Sequence, residues 1–189
     1  MQKLSEADLI INPDGSIYHL NLLPEDIADT VITVGDLDRV AEVSKHFDSI
    51  EVKKGKREFI THTGYIGKKR ITVLSTGIGT DNIDIVFNEL DALVNIDFES
   101  RTVKKELKSL DIIRIGTSGA VQKDIPMGTI LASSFGLGFD ALMHYYIHQV
   151  SGDEHTLLDS VKSHFTHIKN IHPYITAADQ SLLNSIAKG

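Results

Sequence analysis

Three arginines and three glycine turns carry the chemistry this sequence offers. Arg114 stands in Ile112-Ile113-Arg114-Ile115-Gly116, a run apolar enough to read as a strand buried on both faces. A buried guanidinium without a partner costs several kcal/mol, so Arg114 calls for an anion. That anion is either a structural carboxylate or a ligand oxyanion at the strand's carboxyl end, where α/β sheets place their sites. The hydroxyls and N–H groups of Thr117 and Ser118 would complete a phosphate cradle there. A second turn, Gly35-Asp36-Leu37-Asp38-Arg39, puts Arg39 in the first turn of an expected helix. Free N–H groups at a helix start favour anions, and Gly35 leaves room for a ligand against the backbone. The plainer alternative is a capped helix whose Arg39 pairs with Asp36 or Asp38.

The third turn, Gly77-Ile78-Gly79-Thr80-Asp81-Asn82, lacks both the lysine of a Walker motif and the third glycine of a dinucleotide fingerprint. On its own it reads as a tight turn. Arg57, in the basic stretch 53–57, reads by itself as solvated surface. Nine histidines include His144 and His148, four apart, and His164 and His167, three apart. No acidic third ligand stands at a recognisable spacing, so surface or partly buried helical histidine is the better reading. No Gly-x-Ser-x-Gly elbow supports a serine hydrolase.

The elements that must position these residues alternate. Thr30–Val34 is a β-branched strand, followed by helical periodicity over 39–47. Residues 59–63 and 71–74 flank a glycine-containing turn and predict a hairpin, and 82–94 predicts an amphipathic helix. Residues 95–110 read as a surface excursion, Asp111–Ile115 as a strand, 129–134 as another strand and 140–149 as a helix. Helical segments over 157–165 and 177–187 close the chain. Strands that end in glycine and alternate with helices predict an α/β fold with a mixed, mostly parallel sheet flanked by helices.

Composition bounds the function further. The 189 residues carry 19 Lys and Arg against 26 Asp and Glu, a net charge of -7, with no cysteine. This length predicts one domain over 1–189, without disulfides or thiol nucleophiles. The acidic balance argues against nucleic acid as a partner, whose phosphates need a basic face. Apolar runs far shorter than the roughly 20 residues that span a bilayer argue against a membrane. The start lacks the apolar core of a signal peptide, and a cytoplasmic protein is expected.

In order along the chain, Tyr18-His19-Leu20, Val34-Gly35-Asp36-Leu37-Asp38-Arg39, Arg57-Glu58-Phe59, Ser75-Thr76-Gly77-Ile78-Gly79 and Arg114-Ile115-Gly116-Thr117-Ser118-Gly119-Ala120-Val121-Gln122 together resemble the nucleoside phosphorylases. Within that family the sequence is most similar to the uridine phosphorylases. The resemblance implies an α/β sandwich assembled from dimers into hexamers, with sites shared between subunits. It implies phosphorolysis of a nucleoside, uridine before others, by inorganic phosphate, with no organic cofactor. Gly35, Arg39, Arg114 and Thr117 match the family's phosphate ligands, and Arg57 matches the arginine lent by a neighbouring subunit. His19 matches the neighbour's histidine at the ribose 5′-hydroxyl, and Thr117 also lies where the family contacts the ribose. Arg114 and Thr117 are thus the expected catalytic pair. Glu58, Ile78 and Asn82 fall where uridine phosphorylases hold a potassium ion between subunits, with Asn82 in place of a serine.

A purine nucleoside phosphorylase and a non-catalytic nucleoside- or phosphate-binding module are the competing readings. Val34 and Leu37 replace prolines common in the first motif. After His144 no counterpart is found for the family's base-reading Gln/Arg pair or its ribose-holding Met-Glu pair. The chain therefore reads as the N-terminal part of a phosphorylase, holding the nucleophile's pocket without the base pocket.

Overall fold

The computed structural model describes residues 3–168 and 170–188. The chain divides into two compact units, 1–117 and 118–189.

The first unit is built on β1 (Thr30–Val34), whose alternating residues are apolar on both faces. β4 (Lys69–Ser75) and β7 (Asp111–Ile115) flank it, both parallel to it. β3 (Phe59–Ile66) pairs antiparallel with β4, and β2 (Ser49–Lys56) antiparallel with β3, giving the order β2-β3-β4-β1-β7. Four of the five strands therefore point one way and only β3 opposes them, so the sheet is mixed and mostly parallel in direction.

Period-two alternation sends neighbouring residues to opposite faces. Val31, Leu74 and Phe59 join the larger core with Val86, Leu90 and Leu93 of α2 (Thr80–Asn95) and with Leu20 and Leu22 of the N-terminal segment. Ile32, Val34 and Val73 face the other way, against Val40 and Val43 of α1 (Asp38–Ser44). Helices thus cover both faces of the sheet.

The expected hairpin is present as β3–β4. The excursion over 95–110 contains a small antiparallel pair, β5 (Ile96–Asp97) and β6 (Thr102–Val103). β7 is not buried on both faces: Ile112 and Ile113 are half-buried, while Arg114 and Ile115 are exposed. The cause is its place in the sheet, at an edge with β1 as its one strand neighbour.

The second unit departs further from expectation. The strand expected over 129–134 is instead β8 (Phe135–Gly138), paired antiparallel with β9 (Tyr174–Ala177). Ile130 and Leu131 have no strand partner and are exposed. The helix expected over 140–149 is a single 3-10 turn, Leu142–Tyr145. Here the carboxylate of Asp140 accepts from the Leu142 N–H at 2.8 Å and from the Tyr174 hydroxyl. His144 and His148 each face a carbonyl oxygen from the chain around β9, those of His172 and Ile175, rather than sharing a helix face. α3 (Gly152–His164) begins at a Ser151–Glu154 capping box. Of the segment expected to be helical over 177–187, Gln180–Ile186 forms α4 and Ala177 belongs to β9. Among the described residues no helix is long and apolar enough to cross a membrane.

Candidate anion site

The register brings three strand ends to one level. Val34 of β1 is opposite Ser75 of β4 on one side and Ile115 of β7 on the other. The turns that follow these residues, beginning at Gly35, Thr76-Gly77 and Gly116-Thr117, therefore share one edge of the sheet. This is the carboxyl end of parallel strands, where such folds leave a crevice.

Arg114, opposite Thr33, carries its guanidinium toward that edge. A β-carbon at Gly35 would lie 3.3 Å from Arg114 Nη2, and one at Gly116 would lie 4.0 Å from its Nε. Glycine at 35 is what gives this side chain its room, since a β-carbon at Gly116 would make only an ordinary contact. Arg39, in the first turn of α1, donates from Nη2 to Thr117 Oγ1 at 3.3 Å. Gly35, Arg39, Arg114 and Thr117 are thereby gathered.

Neither plainer alternative holds. Among the described residues no carboxylate pairs with Arg39, Arg57 or Arg114. Asp36 instead accepts from the Asp38 N–H at 3.0 Å, in the turn that leads into α1. Arg114 is exposed, so burial does not demand its partner; instead two guanidiniums without carboxylate partners stand at one glycine-lined edge, Arg114 by Gly35 and Arg39 on Thr117. Such forks favour phosphate or carboxylate oxygens.

Next to them lies an open cavity of about 580 Å³, lined by Gly35, Asp36, Leu37, Glu58, Gly77, Ile78, Gly79 and Asn82. Gly77, at φ +71, sits where a β-carbon would collide with the Asn82 carboxamide, so this turn accepts little but glycine. The turn that reads as unremarkable in sequence is a wall of the cavity. Glu58 is fixed from below, since Ser75 Oγ donates to its carbonyl at 2.5 Å.

Arg57 occupies the β2–β3 corner at φ +59, and no hydrogen bond or ion pair among the described residues ties it to Arg39 or Arg114. His19 is held elsewhere, with Nδ1 at 2.7 Å from Glu89 Oε1. Lys56 links the two places, donating from Nζ to the Tyr18 carbonyl at 2.6 Å and lying 3.9 Å above the Tyr18 ring. Glu89 belongs to no motif in the sequence, and Lys56, within the basic stretch that reads as solvated surface, is instead half-buried against Tyr18. His19 and Glu89 stand 70 residues apart, so no spacing joins them.

The displaced titrations lie outside this site. Burial and then Lys53 hold His62 below its ordinary value. In the second unit, burial and then the Asp140 hydrogen bond push Tyr174 up to about 12. Backbone N–H groups of Ser151 and Ala177 hold Glu154 down to about 2. No cluster of three or more His, Asp or Glu suited to a metal ion occurs among the described residues.

The sequence model of the phosphorylase superfamily matches residues 29–188. The chain belongs to the phosphorylase superfamily. Its relatives there include the uridine phosphorylase of Treponema pallidum, 32% identical over 129 residues, which are 68% of this chain and 45% of that protein. A DeoD-type purine nucleoside phosphorylase of Shewanella oneidensis is 35% identical over 121 residues, 62% of this chain and 46% of the relative. Among solved structures, a nucleoside phosphorylase of Trypanosoma brucei, reported to show uridine phosphorylase activity, superposes with a TM-score of 0.85 at 31% identity. That likeness covers 96% of this chain and 61% of the other. The chain spans about half the length of the curated relatives it matches. The superfamily's fold and this chain's mixed sheet agree.

Proposed function

We propose that this chain carries the nucleophile-holding part of a nucleoside phosphorylase, with uridine as the nucleoside and inorganic phosphate as the attacking group. The observation that carries the reading is the convergence of Arg39 and Arg114, neither paired with a carboxylate, on Gly35 and Thr117. Phosphate bound there accepts charge-assisted hydrogen bonds from both guanidiniums and a further bond from Thr117. One phosphate oxygen attacks the anomeric carbon of the ribose, and the glycosidic bond breaks with its electron pair leaving on the base. The products are the free base and ribose 1-phosphate, and no covalent enzyme intermediate is needed. Holding the phosphate in line converts an encounter of two solutes into a positioned reaction. The dianion beside the sugar also offsets the positive charge that builds on the ribose as the bond loosens.

Arg57 and His19 complete a neighbouring copy's site in this reading, which makes a dimer the smallest working unit. Glu58, Ile78 and Asn82 line one cavity, and their carboxylate, carbonyl and carboxamide oxygens would be the ligands. A hard cation takes about six to eight such oxygens, so a potassium ion fits them when a second copy doubles the set. The ion would fix the two copies against each other. The matched purine phosphorylase supports purine nucleosides as the second reading.

Calorimetric titration of inorganic phosphate into the chain, beside an Arg114→Ala variant, tests the reading. Saturable binding that the variant loses is the expected result, and no binding to a folded, dimeric chain overturns it. Phosphorolysis of uridine against inosine, assayed on a chain that also carries a base pocket, then separates the pyrimidine reading from the purine one.

A further inference from the structure

The turn that carries His19 is fastened more firmly than a surface turn requires. Glu89, on α2, accepts from the His19 N–H with both oxygens, at 3.0 and 3.1 Å, and from the Leu20 N–H with Oε2 at 2.8 Å. Its Oε1 also lies 2.7 Å from His19 Nδ1. Glu89 is only 12% exposed and His19 27%. Tyr18 packs edge-on against the imidazole at 4.8 Å, and Lys56 clamps the Tyr18 carbonyl from the strand that leads into Arg57. Imidazole Nε2 makes no hydrogen bond among the described residues.

An ionised carboxylate only accepts, so the nitrogen facing it must carry hydrogen. We propose that Glu89 is a positioning residue that commits His19 to the tautomer with hydrogen on Nδ1, leaving Nε2 as an acceptor for a sugar hydroxyl. The hydroxyl as recipient rests on the function proposed above; the tautomer does not. An unrestrained ring exchanges tautomers and rotates, so a fixed acceptor gains orientation at no cost on binding. Lys56 extends the same block to Arg57, so hydroxyl and phosphate recognition are displayed on one rigid corner.

Glu89→Gln gives a sharp test because the amide cannot satisfy every donor. The Leu20 N–H is fully buried with its residue and is fixed as a donor, so the amide oxygen turns to the backbone. The amide nitrogen then faces Nδ1, which must give up its hydrogen. Long-range proton–nitrogen NMR on the ¹⁵N-labelled chain, at a pH where the ring is neutral, reads this directly, with His19→Gln assigning the signal. Nδ1–H in the wild type and Nε2–H in Glu89→Gln are expected. A wild-type ring with hydrogen on Nε2 overturns the proposal even if the variant does not fold, as does a folded variant whose tautomer is unchanged. In calorimetry, Glu89→Gln is expected to weaken binding of ribose 1-phosphate about tenfold and leave that of 5-deoxyribose 1-phosphate unchanged. Equal effects on both sugar phosphates overturn the hydroxyl role. Absence of any phosphate binding overturns the proposed function while the NMR result still decides the tautomer.

Discussion

Gly35→Ala probes the anion site with a single methyl group. Gly35 does not use a left-handed φ, so alanine suits the backbone and the change in unfolding free energy stays within about 1 kcal/mol. The new carbon would lie 3.3 Å from Arg114 Nη2 and 3.6 Å from the Gly77 carbonyl. Non-bonded atoms of this size prefer about 3.5–4.0 Å, so the guanidinium must withdraw by a few tenths of an ångström. Charge-assisted hydrogen bonds are short and directional, and such a displacement costs about 1 kcal/mol, or roughly fivefold in phosphate Kd. Arg114→Met removes the hydrogen bonds altogether, at about 1.5–3 kcal/mol, or roughly 10- to 150-fold. Because the methyl acts through the guanidinium, Gly35→Ala should do nothing further in the Arg114→Met background, a coupling of about 1 kcal/mol. Phosphate calorimetry on the four proteins at fixed ionic strength measures it. Equal weakening by the methyl in both backgrounds, or none in the wild type, would refute the placement of Arg114 over Gly35.

Thr117→Val keeps the shape but removes the oxygen that Arg39 meets, so phosphate Kd should rise about 3- to 10-fold in calorimetry with the melting temperature nearly unchanged. Leu74→Ala empties a fully buried position of β4 in the larger core, and urea unfolding should show a loss of about 2–5 kcal/mol. Glu154 has its folded value lowered from 4.5 to about 2, so its stabilising contribution is whole above pH 4.5 and is lost as pH falls from there toward 2. The protection factor of the Ala177 amide, which donates to Glu154 Oε1, should fall across that window once the intrinsic pH dependence of exchange is divided out, and Glu154→Gln should flatten the dependence.

The first unit was legible because its elements are local and periodic. Thr30–Val34 and Asp111–Ile115 have the bounds expected from β-branched and apolar runs, and α2 follows its amphipathic pattern to within a residue or two at each end. Edge position was not legible, because Ile112-Ile113-Arg114-Ile115 has the same composition at a sheet's edge as at its centre. In the second unit the apolar run around Ile130 has no partner, whereas Phe135–Gly138, half of it glycine, is a strand because Tyr174–Ala177 pairs with it. Tertiary pairing overrode local propensity there. The helix expected over 140–149 fails for a related reason, since Asp140 prefers the Leu142 N–H and the distant Tyr174 hydroxyl to a helical turn. Of the candidate site, the residue types could be read from the chain. That no carboxylate among the described residues pairs with Arg39 or Arg114, and that Glu89 holds His19, depend on side-chain placement that sequence distance hides.

Two arginines adopt the left-handed backbone, Arg101 at φ +56 and Arg57 at φ +59. Such a conformation costs a residue with a side chain about 1–2 kcal/mol. Arg101 recovers it at home, since its guanidinium donates to the carbonyls of Leu4, Ser5 and Leu9 and pins the N-terminal segment. Among the described residues Arg57 makes no side-chain hydrogen bond or ion pair that would recover it. Glycine at that corner would make a hardier monomer, and an engineer screening variants for heat resistance alone would select it. If Arg57 serves a neighbouring copy's phosphate as proposed, its loss would go unnoticed in every assay that does not contain phosphate.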